Sequence, residues 1–326
     1  MNDILLEIEK LNVQYNTDDA VVHALNDFSL TVKRGEVLGI VGETGAGKST
    51  MALSILKLLP AKVGEITSGS IRYNDRDVLA ANSKEMLQLR GAKISMIFQD
   101  PMTSLNPILT VGEQIGEVLD LHYPHMPKKE REEKIDEILN LVGIQSRRKA
   151  EFPHQFSGGM KQRIGIAMAL IAEPELLLAD EPTTALDVTI QAQILHLMKN
   201  LKAQYNTSML LITHDLGVVA EFCETVAVVY AGEVIEKGDV ESVFTRKNNH
   251  PYTEGLFESI PSLEGTAERL IPIPGFMADP TSLPIGCKFA DRCRYCTERC
   301  HKENPPLYMA GGHQIKCFKY ADKEET

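Results

Sequence analysis

The sequence predicts an α/β fold, and three observations support that prediction. An apolar run at residues 37–41 leads into a glycine-rich loop and then into a helix-like segment that ends before Pro60. Two further apolar runs, at residues 176–179 and 208–213, have the length of buried strands and end in polar residues. Such runs, together with the strand–loop–helix arrangement, are typical of an α/β fold with parallel strands. The chain of 326 residues is long enough for one large or two smaller domains.

The glycine-rich loop has the sequence of a phosphate-binding loop. Its residues are Gly42, Glu43, Thr44, Gly45, Ala46, Gly47, Lys48, Ser49 and Thr50. The glycines allow backbone N–H groups to surround phosphate oxygens, and the start of the following helix adds partial positive charge. Lys48 would place a positive charge on the β- and γ-phosphates, and the Ser49 hydroxyl could hold Mg²⁺. The pattern predicts that the chain binds a nucleoside triphosphate.

Composition limits the other functions that need to be considered. Hydrophobic residues make up 43% and charged residues 24% of the chain, which is typical of a soluble globular protein. The net charge of −11 disfavours non-specific binding to the phosphate backbone of nucleic acids. No apolar run is long enough to span a bilayer, and the N-terminus lacks the basic start of a secretory signal. We therefore expect a cytoplasmic protein that reaches a membrane only through a partner.

Several side chains outside the loop are candidates for chemistry. Asp180 and Glu181 end an apolar strand, which is where a protein ligand to Mg²⁺ and a base that orients water would lie. Ser157 and two glycines begin an apolar helix and form a second potential anion site. Taken alone, Tyr15 is as compatible with a surface aromatic as with an adenine platform. His214, also taken alone, is more often structural than catalytic at the end of a strand.

The remaining segments predict what surrounds the nucleotide core. Strand-like pieces at residues 5–9, 28–32 and 69–78 suggest a flanking antiparallel sheet. Residues 111–150 form a helical region with a solvated mixed-charge face, and residues 226–236 form a hairpin that turns at Ala231 and Gly232.

Together these motifs resemble the nucleotide-binding subunits of ABC transporters over about residues 4–245. The resemblance implies a P-loop (RecA-like) ABC ATPase core with an antiparallel β-subdomain and a helical subdomain at about residues 100–165. It assigns adenine stacking to Tyr15, sensing of the metal and the membrane partner to Gln99, the catalytic base to Glu181 and the switch histidine to His214. Ser49, Gln99 and Asp180 would contact Mg²⁺. Ser157, Gly158, Gly159 and Asp187 would act across a head-to-tail dimer. Met160 departs from the pattern, because glutamine usually follows the two glycines.

The C-terminal part of the chain is rich in cysteine and proline. Four of the six cysteines lie between Cys287 and Cys300, and in a reducing compartment such crowding favours metal binding over disulfides. Residues 246–326 resemble the extension of ATPases from dipeptide and oligopeptide importers. The resemblance implies a 4Fe–4S cluster on Cys287, Cys293, Cys300 and Cys317, although ligand softness admits zinc equally well. The role of Cys296 stays open, and Cys223 is expected to pack as a small apolar residue.

The resemblance implies an ATP-hydrolysing subunit, at the cytoplasmic face of the membrane, that powers import of dipeptides or oligopeptides. Its expected partners are a second ABC ATPase subunit (or a second copy of this chain), two transmembrane permeases and an extracytoplasmic peptide-binding protein, with no nucleic acid. An alternative keeps the importer but changes the cargo to nickel or another small solute. A second alternative, a soluble ABC ATPase acting on nucleic acid, is disfavoured by the single cassette, the lack of sustained heptads and the acidic charge.

Overall fold

The structure is a computed structural model that describes residues 3–100, 104–184, 186–245, 247–259 and 272–321. The described residues form two compact units, each assembled from separate stretches of the chain. The phosphate-loop unit takes its residues from Asn2–Thr31, Leu38–Leu79 and His214–Thr326. The helical unit comprises Val32–Val37 and Ala80–Thr213. The C-terminal extension therefore belongs to the same unit as the phosphate loop.

The predicted antiparallel sheet is present in the phosphate-loop unit. Its strands are β1 (Ile4–Asn16), β2 (Val21–Lys33), β4 (Gly64–Tyr73) and β5 (Arg76–Asp77), in the order β2-β1-β4-β5. Leu6 of β1 pairs with Tyr73, and Ile8 pairs with Ile71. Tyr15 lies inside β1 opposite Gly64. The strand continues to Asn16 because buried Leu11 and Val13 extend its apolar face.

A second group of strands in this unit follows the order β11-β12-β10-β9-β3. The strands are β3 (Val37–Val41), β9 (Thr225–Tyr230), β10 (Glu233–Asp239), β11 (Tyr308–Ala310) and β12 (His313–Ile315). β3 and β9 are parallel, whereas β9 and β10 form the predicted hairpin, which turns through left-handed Ala231 and Gly232. The β11–β12 hairpin was not predicted, because strands of three residues are too short to leave a periodic signal.

Short helices and an aromatic core complete the phosphate-loop unit. The helices are α1 (Lys48–Ile55), α7 (Leu216–Phe222), α8 (Val240–Phe244), α9 (Pro251–Glu258) and α10 (Glu298–Lys302). Tyr230, Tyr252 and Phe289 pack against one another with ring centroids 4.7–5.5 Å apart. They lie in one buried cluster with Val41, the last residue of the strand before the phosphate loop. The core of this unit thus reaches from the loop to the C-terminal extension.

The helical unit contains a parallel sheet and longer helices. Strands β6 (Ile94–Ile97), β7 (Leu176–Asp180) and β8 (Ser208–Ile212) are parallel neighbours in the order β8-β7-β6. Every residue of β7 and β8 is buried, as their continuous apolar sequences predict. The helices are α2 (Ser83–Leu89), α3 (Val111–His122), α4 (Lys128–Leu141), α5 (Gly158–Leu170) and α6 (Val188–Tyr205). α3, α4 and a 3₁₀ turn at Ser146–Ala150 confirm the predicted helical region. Across the described ranges, no helix combines the length and apolar character that crossing a membrane requires.

Candidate nucleotide site and cysteine cavity

The phosphate loop connects buried strand β3 to helix α1, as the sequence predicts. The backbone of Gly42 and Gly47 has φ angles of 155° and 101°, a region that side chains disfavour. A Cβ on Gly42 would collide with the carbonyl oxygen of Val229, and one on Gly47 would lie 2.5 Å from the carbonyl oxygen of Ala24. The loop therefore needs glycine at both positions, because the neighbouring strands approach its backbone so closely.

Lys48 is buried at the start of α1. Its ammonium group donates hydrogen bonds to the carbonyl oxygens of Gly42 and Glu43, at 2.7 and 3.0 Å. The positive charge is therefore held inside the curve of the loop, where phosphate oxygens would need it. Ser49, the predicted Mg²⁺ contact, is exposed one residue further along.

Tyr15 lies close to the same helix. Its hydroxyl is 3.1 Å from the Thr50 hydroxyl, and its ring is half-buried. The contact fixes the tyrosine ring of β1 next to the helix that begins at the phosphate loop. Part of the ring remains accessible for stacking.

The acidic end of β7 gathers three of the predicted residues in the helical unit. Asp180 is buried, and Glu181 follows with a left-handed backbone, φ 47°. The Gln99 amide donates to the Glu181 carboxylate at 3.0 Å, and the Thr184 hydroxyl donates to the same oxygen at 2.8 Å. A non-glycine residue held at positive φ stores backbone strain, which is common where a side chain is aimed for function.

The two predicted dimer contacts of the helical unit also lie near each other. Ser157 precedes α5, and its side chain makes no capping bond to the helix. A Cβ on Gly159 would lie 2.8 Å from Ile190 of α6. Asp187 caps α6 by accepting the Ile190 N–H at 2.9 Å. Both helix starts are solvent-accessible, since Ser157, Gly158 and Asp187 are exposed.

His214 is exposed and follows β8 by two residues in the chain. The next residue, Asp215, caps α7 by accepting the N–H groups of Gly217 and Val218 at 2.8 and 3.2 Å. The predicted switch histidine is therefore located at a strand-to-helix turn, and its imidazole is accessible.

Four cysteines of the extension line one cavity of about 320 Å³. They are Cys287, Cys293, Cys300 and Cys317, the same four cysteines that the family resemblance implies as cluster ligands. All six cysteines lie in the described part of the chain, and Cys223 and Cys296 do not line this cavity. The Cys296 thiol instead lies 3.3 Å from Nε2 of His301. Burial raises the pKa of Cys287 to about 12 and that of Cys293 to about 11.

Within the described residues, no group of three or more histidine, cysteine or acidic side chains is arranged to hold a metal ion. The cysteine-rich metal site therefore stays a prediction, for iron–sulfur and for zinc alike, as does the Mg²⁺ set of Ser49, Gln99 and Asp180. Cys223 is half-buried against the apolar cluster of the phosphate-loop unit, as expected of a small apolar residue. Burial raises the pKa of its thiol to about 12.

Two residues of the extension contact the phosphate loop and were not found from the sequence. The Tyr252 hydroxyl accepts the backbone N–H of Glu43 at 2.8 Å, and Arg292 forms an ion pair with the Glu43 carboxylate at 2.7 Å. More than 200 residues separate each of them from the loop, so no local motif indicates the contact.

The fold and the phosphate loop define a class, the P-loop nucleotide-binding proteins with an ATP-binding cassette. Residues 25–184 match the ABC transporter family, and residues 235–300 match the oligopeptide/dipeptide transporter C-terminal region. The chain belongs to the ABC transporter ATP-binding proteins, in the group that carries this C-terminal region. As a member of this family it is an ATPase that binds and hydrolyses ATP.

Relatives and solved structures agree with this assignment. The oligopeptide transport ATP-binding protein AppD of Bacillus subtilis is 45% identical, with 98% of each chain aligned. The dipeptide transport ATP-binding protein DppD of the same organism is 46% identical over 98% of this chain and 96% of its own. The cassette MJ0796, in a dimeric structure bound to ADP and phosphate, is 30% identical with a TM-score of 0.65, over 72% of this chain and 98% of that one. CbiO1 of Clostridium perfringens, part of the transporter complex cbiONQ, is 31% identical with a TM-score of 0.65, over 76% of this chain and 92% of its own.

Proposed function

We propose that this ATPase powers the import of dipeptides or oligopeptides across the cytoplasmic membrane. The observation that carries the proposal is the match of residues 235–300 to the oligopeptide/dipeptide transporter C-terminal region. Relatives named for oligopeptide and dipeptide transport align along 98% of the chain, so the similarity includes the extension as well as the cassette. The protein would act at the cytoplasmic face of the membrane, bound to two permease subunits and supplied by an extracytoplasmic peptide-binding protein.

For ATP hydrolysis, we assign the central role to Glu181. Its carboxylate would accept a proton from the attacking water as the water oxygen bonds to the γ-phosphorus. The bond from the γ-phosphorus to the β–γ bridging oxygen breaks, which leaves ADP and phosphate. The hydrogen bonds from Gln99 and Thr184 support this role, because they hold the carboxylate in one direction. His214 would contact the γ-phosphate as the switch residue.

The nucleotide would be held by two sets of groups. Tyr15 and the loop Gly42–Thr50 would bind adenine and the phosphates, with Lys48 as the buried positive charge. Ser49, Gln99 and Asp180 offer oxygen atoms of the kind that Mg²⁺ prefers, and the ion would neutralise charge on the phosphates. Buried Asp180 is a fitting donor, since a buried carboxylate needs a cation or hydrogen bonds.

We propose that hydrolysis takes place in a head-to-tail dimer with a second ABC ATPase subunit or a second copy of this chain. The exposed start of α5 would approach the γ-phosphate of ATP held by the other subunit. Its uncapped N–H groups and the Ser157 hydroxyl suit an anion. Asp187, exposed at the start of α6, would contact the partner subunit. The division expected from the sequence stays a prediction: residues 1–245 for the cassette, with a helical subdomain at about 100–165, and residues 246–326 for the extension.

We also propose that the extension binds a 4Fe–4S cluster through Cys287, Cys293, Cys300 and Cys317. Four thiolates are the usual ligands of such a cluster, and these four thiols face one cavity of about 320 Å³. A zinc ion held by the same thiolates is the alternative, since zinc also prefers sulfur ligands. A bound metal centre would favour the thiolate forms of the buried cysteines. Cys296 is not required as a ligand and would remain a thiol beside His301.

The cargo is tested by uptake in cells that lack the native gene. Cells that carry the wild-type gene should accumulate labelled dipeptides or oligopeptides, whereas Lys48→Ala should abolish uptake because the phosphates lose their buried charge. Lys128→Ala, on the exposed start of α4, is the matched control and should transport normally. Uptake of nickel instead of peptides would replace the proposed cargo, and uptake by the Lys48→Ala strain would contradict the coupling to ATP.

The cluster is tested by iron, zinc and labile-sulfide content in protein purified without oxygen. We expect about four irons and four sulfides per chain in the wild type, in Cys223→Ser and in Cys296→Ser, and a marked loss in Cys293→Ser. One zinc and no sulfide per chain would replace the cluster with a zinc module. Loss of iron in Cys296→Ser would show that the ligand set is wrong.

A further inference from the structure

The phosphate loop carries an acidic side chain, Glu43, directly after its first glycine. A carboxylate in a loop that encloses phosphates is unfavourable, because like charges repel each other at short range. The Glu43 side chain is about one-third exposed, at 35%. Something must compensate this charge if the loop is to bind a triphosphate tightly.

Arg292 of the C-terminal extension supplies the compensating charge. Its Nη1 and Nη2 atoms donate to the two Glu43 carboxylate oxygens at 2.7 and 3.1 Å, in the two-pronged geometry that matches guanidinium to carboxylate. The Arg292 side chain is only 5% exposed. This ion pair is therefore better shielded from water and salt than an ordinary surface pair.

Other contacts, from the extension and from Tyr230 of β9, also fix the Arg292 side chain. Its Nε donates to the carbonyl oxygen of Pro274 at 2.9 Å, and Nη1 also lies 3.4 Å from the Tyr230 hydroxyl. The guanidinium carbon lies 5.8 Å from the centre of the Phe289 ring. A guanidinium keeps its charge at any physiological pH. The contacts on both sides set its position.

Other residues of the extension approach the same loop. The Tyr252 hydroxyl accepts the Glu43 N–H at 2.8 Å, which orients the Glu43 backbone. A Cβ on Gly45 would lie 3.0 Å from the Met277 methyl carbon. The Pro280 carbonyl accepts the N–H of His23, in the strand that passes behind the loop. The extension therefore contacts both the phosphate loop and strand β2, at several separate points.

We propose that Arg292 is a positioning residue for ATP binding: it neutralises Glu43 and holds the phosphate loop in the shape that accepts a triphosphate. ATP affinity thereby depends on the C-terminal extension, which contacts the loop without being part of the cassette motifs. The proposal rests on the assignment of Gly42–Thr50 as the phosphate-binding loop and is independent of the cargo.

The test is equilibrium binding of ATP to the full-length protein in the presence of Mg²⁺. Arg292→Gln should weaken ATP binding by about tenfold or more, because it leaves the Glu43 carboxylate uncompensated beside the phosphates. The double variant Glu43→Gln/Arg292→Gln removes both charges and should recover most of the ATP affinity that Arg292→Gln loses. Arg292→Lys keeps the charge but loses the two-pronged contact, and its affinity should lie between those of the wild type and Arg292→Gln.

Arg294→Gln is the matched control. Arg294 is two residues away and forms an exposed pair with Glu258 at 2.6 Å, so its loss should leave ATP affinity unchanged. A double variant that binds as weakly as Arg292→Gln would overturn the proposal, since Arg292 would then act only as structural support. If Arg292→Gln is too unstable to purify, Arg292→Lys is compared with the double variant: weaker ATP binding by Arg292→Lys supports the proposal, and equal or tighter binding overturns it. Lys48→Ala tests the phosphate-loop assignment independently of Arg292. Normal ATP affinity in this variant would refute that assignment.

Discussion

At the scale of single residues, side chains from distant parts of the sequence meet the phosphate loop. Lys48 is buried and hydrogen bonded to the loop carbonyls, and Glu43 is held between Tyr252 and Arg292. Tyr15 approaches from β1 and contacts Thr50 through its hydroxyl. Each contact restricts the loop before any ligand arrives, which lowers the entropy cost of binding.

Tyr15 provides a prediction that separates its ring from its hydroxyl. If the ring stacks on adenine, Tyr15→Ala should weaken ATP binding about tenfold or more, within the ~1–3 kcal/mol of a base–aromatic stack. Tyr15→Phe keeps the ring, loses only the contact to Thr50, and should bind ATP almost normally. Inorganic tripolyphosphate has no base, so its binding, measured by displacement of labelled ATP, should be the same in both variants. Equal losses of ATP affinity in the two variants would mean that the hydroxyl, and not the ring, matters.

At the scale of secondary-structure elements, the sequence predicted the parts that have strong local patterns. β7 and β8 are continuous apolar runs, and the β9–β10 hairpin has a turn signal at Ala231 and Gly232. The same holds for the phosphate loop, whose glycines and lysine have a fixed spacing. These features follow from the order of neighbouring residues, so the sequence is sufficient to find them.

The features that were missed depend on residues far apart in the chain. The Arg292–Glu43 pair joins positions 249 residues apart, and the β11–β12 hairpin extends the sheet from an edge of β10. The strand predicted at residues 5–9 extends to Asn16 and includes Tyr15, because its pairing with β4 continues that far. Such contacts are decided by tertiary packing, which a local pattern does not record.

A buried polar pair, His313 of β12 and Glu236 of β10, links these two paired strands. Nε2 of His313 lies 2.8 Å from the Glu236 carboxylate, and both side chains are almost completely buried. The same carboxylate accepts hydrogen bonds from the Asn249 amide and the His250 N–H. Burial lowers the pKa of His313, but the hydrogen bond to Glu236 and its negative charge outweigh this effect and raise the pKa.

This pair predicts a pH dependence of stability with a definite sign. A histidine whose pKa is raised by folding adds stability that is complete below its unfolded pKa of about 6.5 and is lost as pH rises through the folded pKa. The difference in melting temperature between wild type and His313→Gln should therefore shrink as pH is raised above about 6.5. His125→Gln, on an exposed histidine, is the control and should show no such trend. A constant difference across the range would mean that His313 is not charged in the folded protein.

At the scale of the whole molecule, the chain combines a cassette with an extension. The solved cassettes align over 72–76% of this chain, whereas the peptide-transport relatives align over 98%. About a quarter of the chain is therefore shared with the peptide-transport group and not with those cassettes. The proposed function needs both parts: the cassette hydrolyses ATP in a dimer, and the extension supplies the cysteine cavity and the Arg292 contact to the loop.

The central claim is that this chain hydrolyses ATP through Glu181, in a closed dimer that drives transport. The most direct measurement compares ATP binding and turnover of Glu181→Gln with the wild type, in the transporter purified with its partner subunits. We expect normal ATP binding, turnover reduced by about 10²-fold or more, and a stable ATP-bound closed dimer, because the water loses its base. Glu133→Gln, on the exposed face of α4, should behave as the wild type. Unchanged turnover in Glu181→Gln would contradict the assignment of the base and with it the proposed mechanism of ATP hydrolysis.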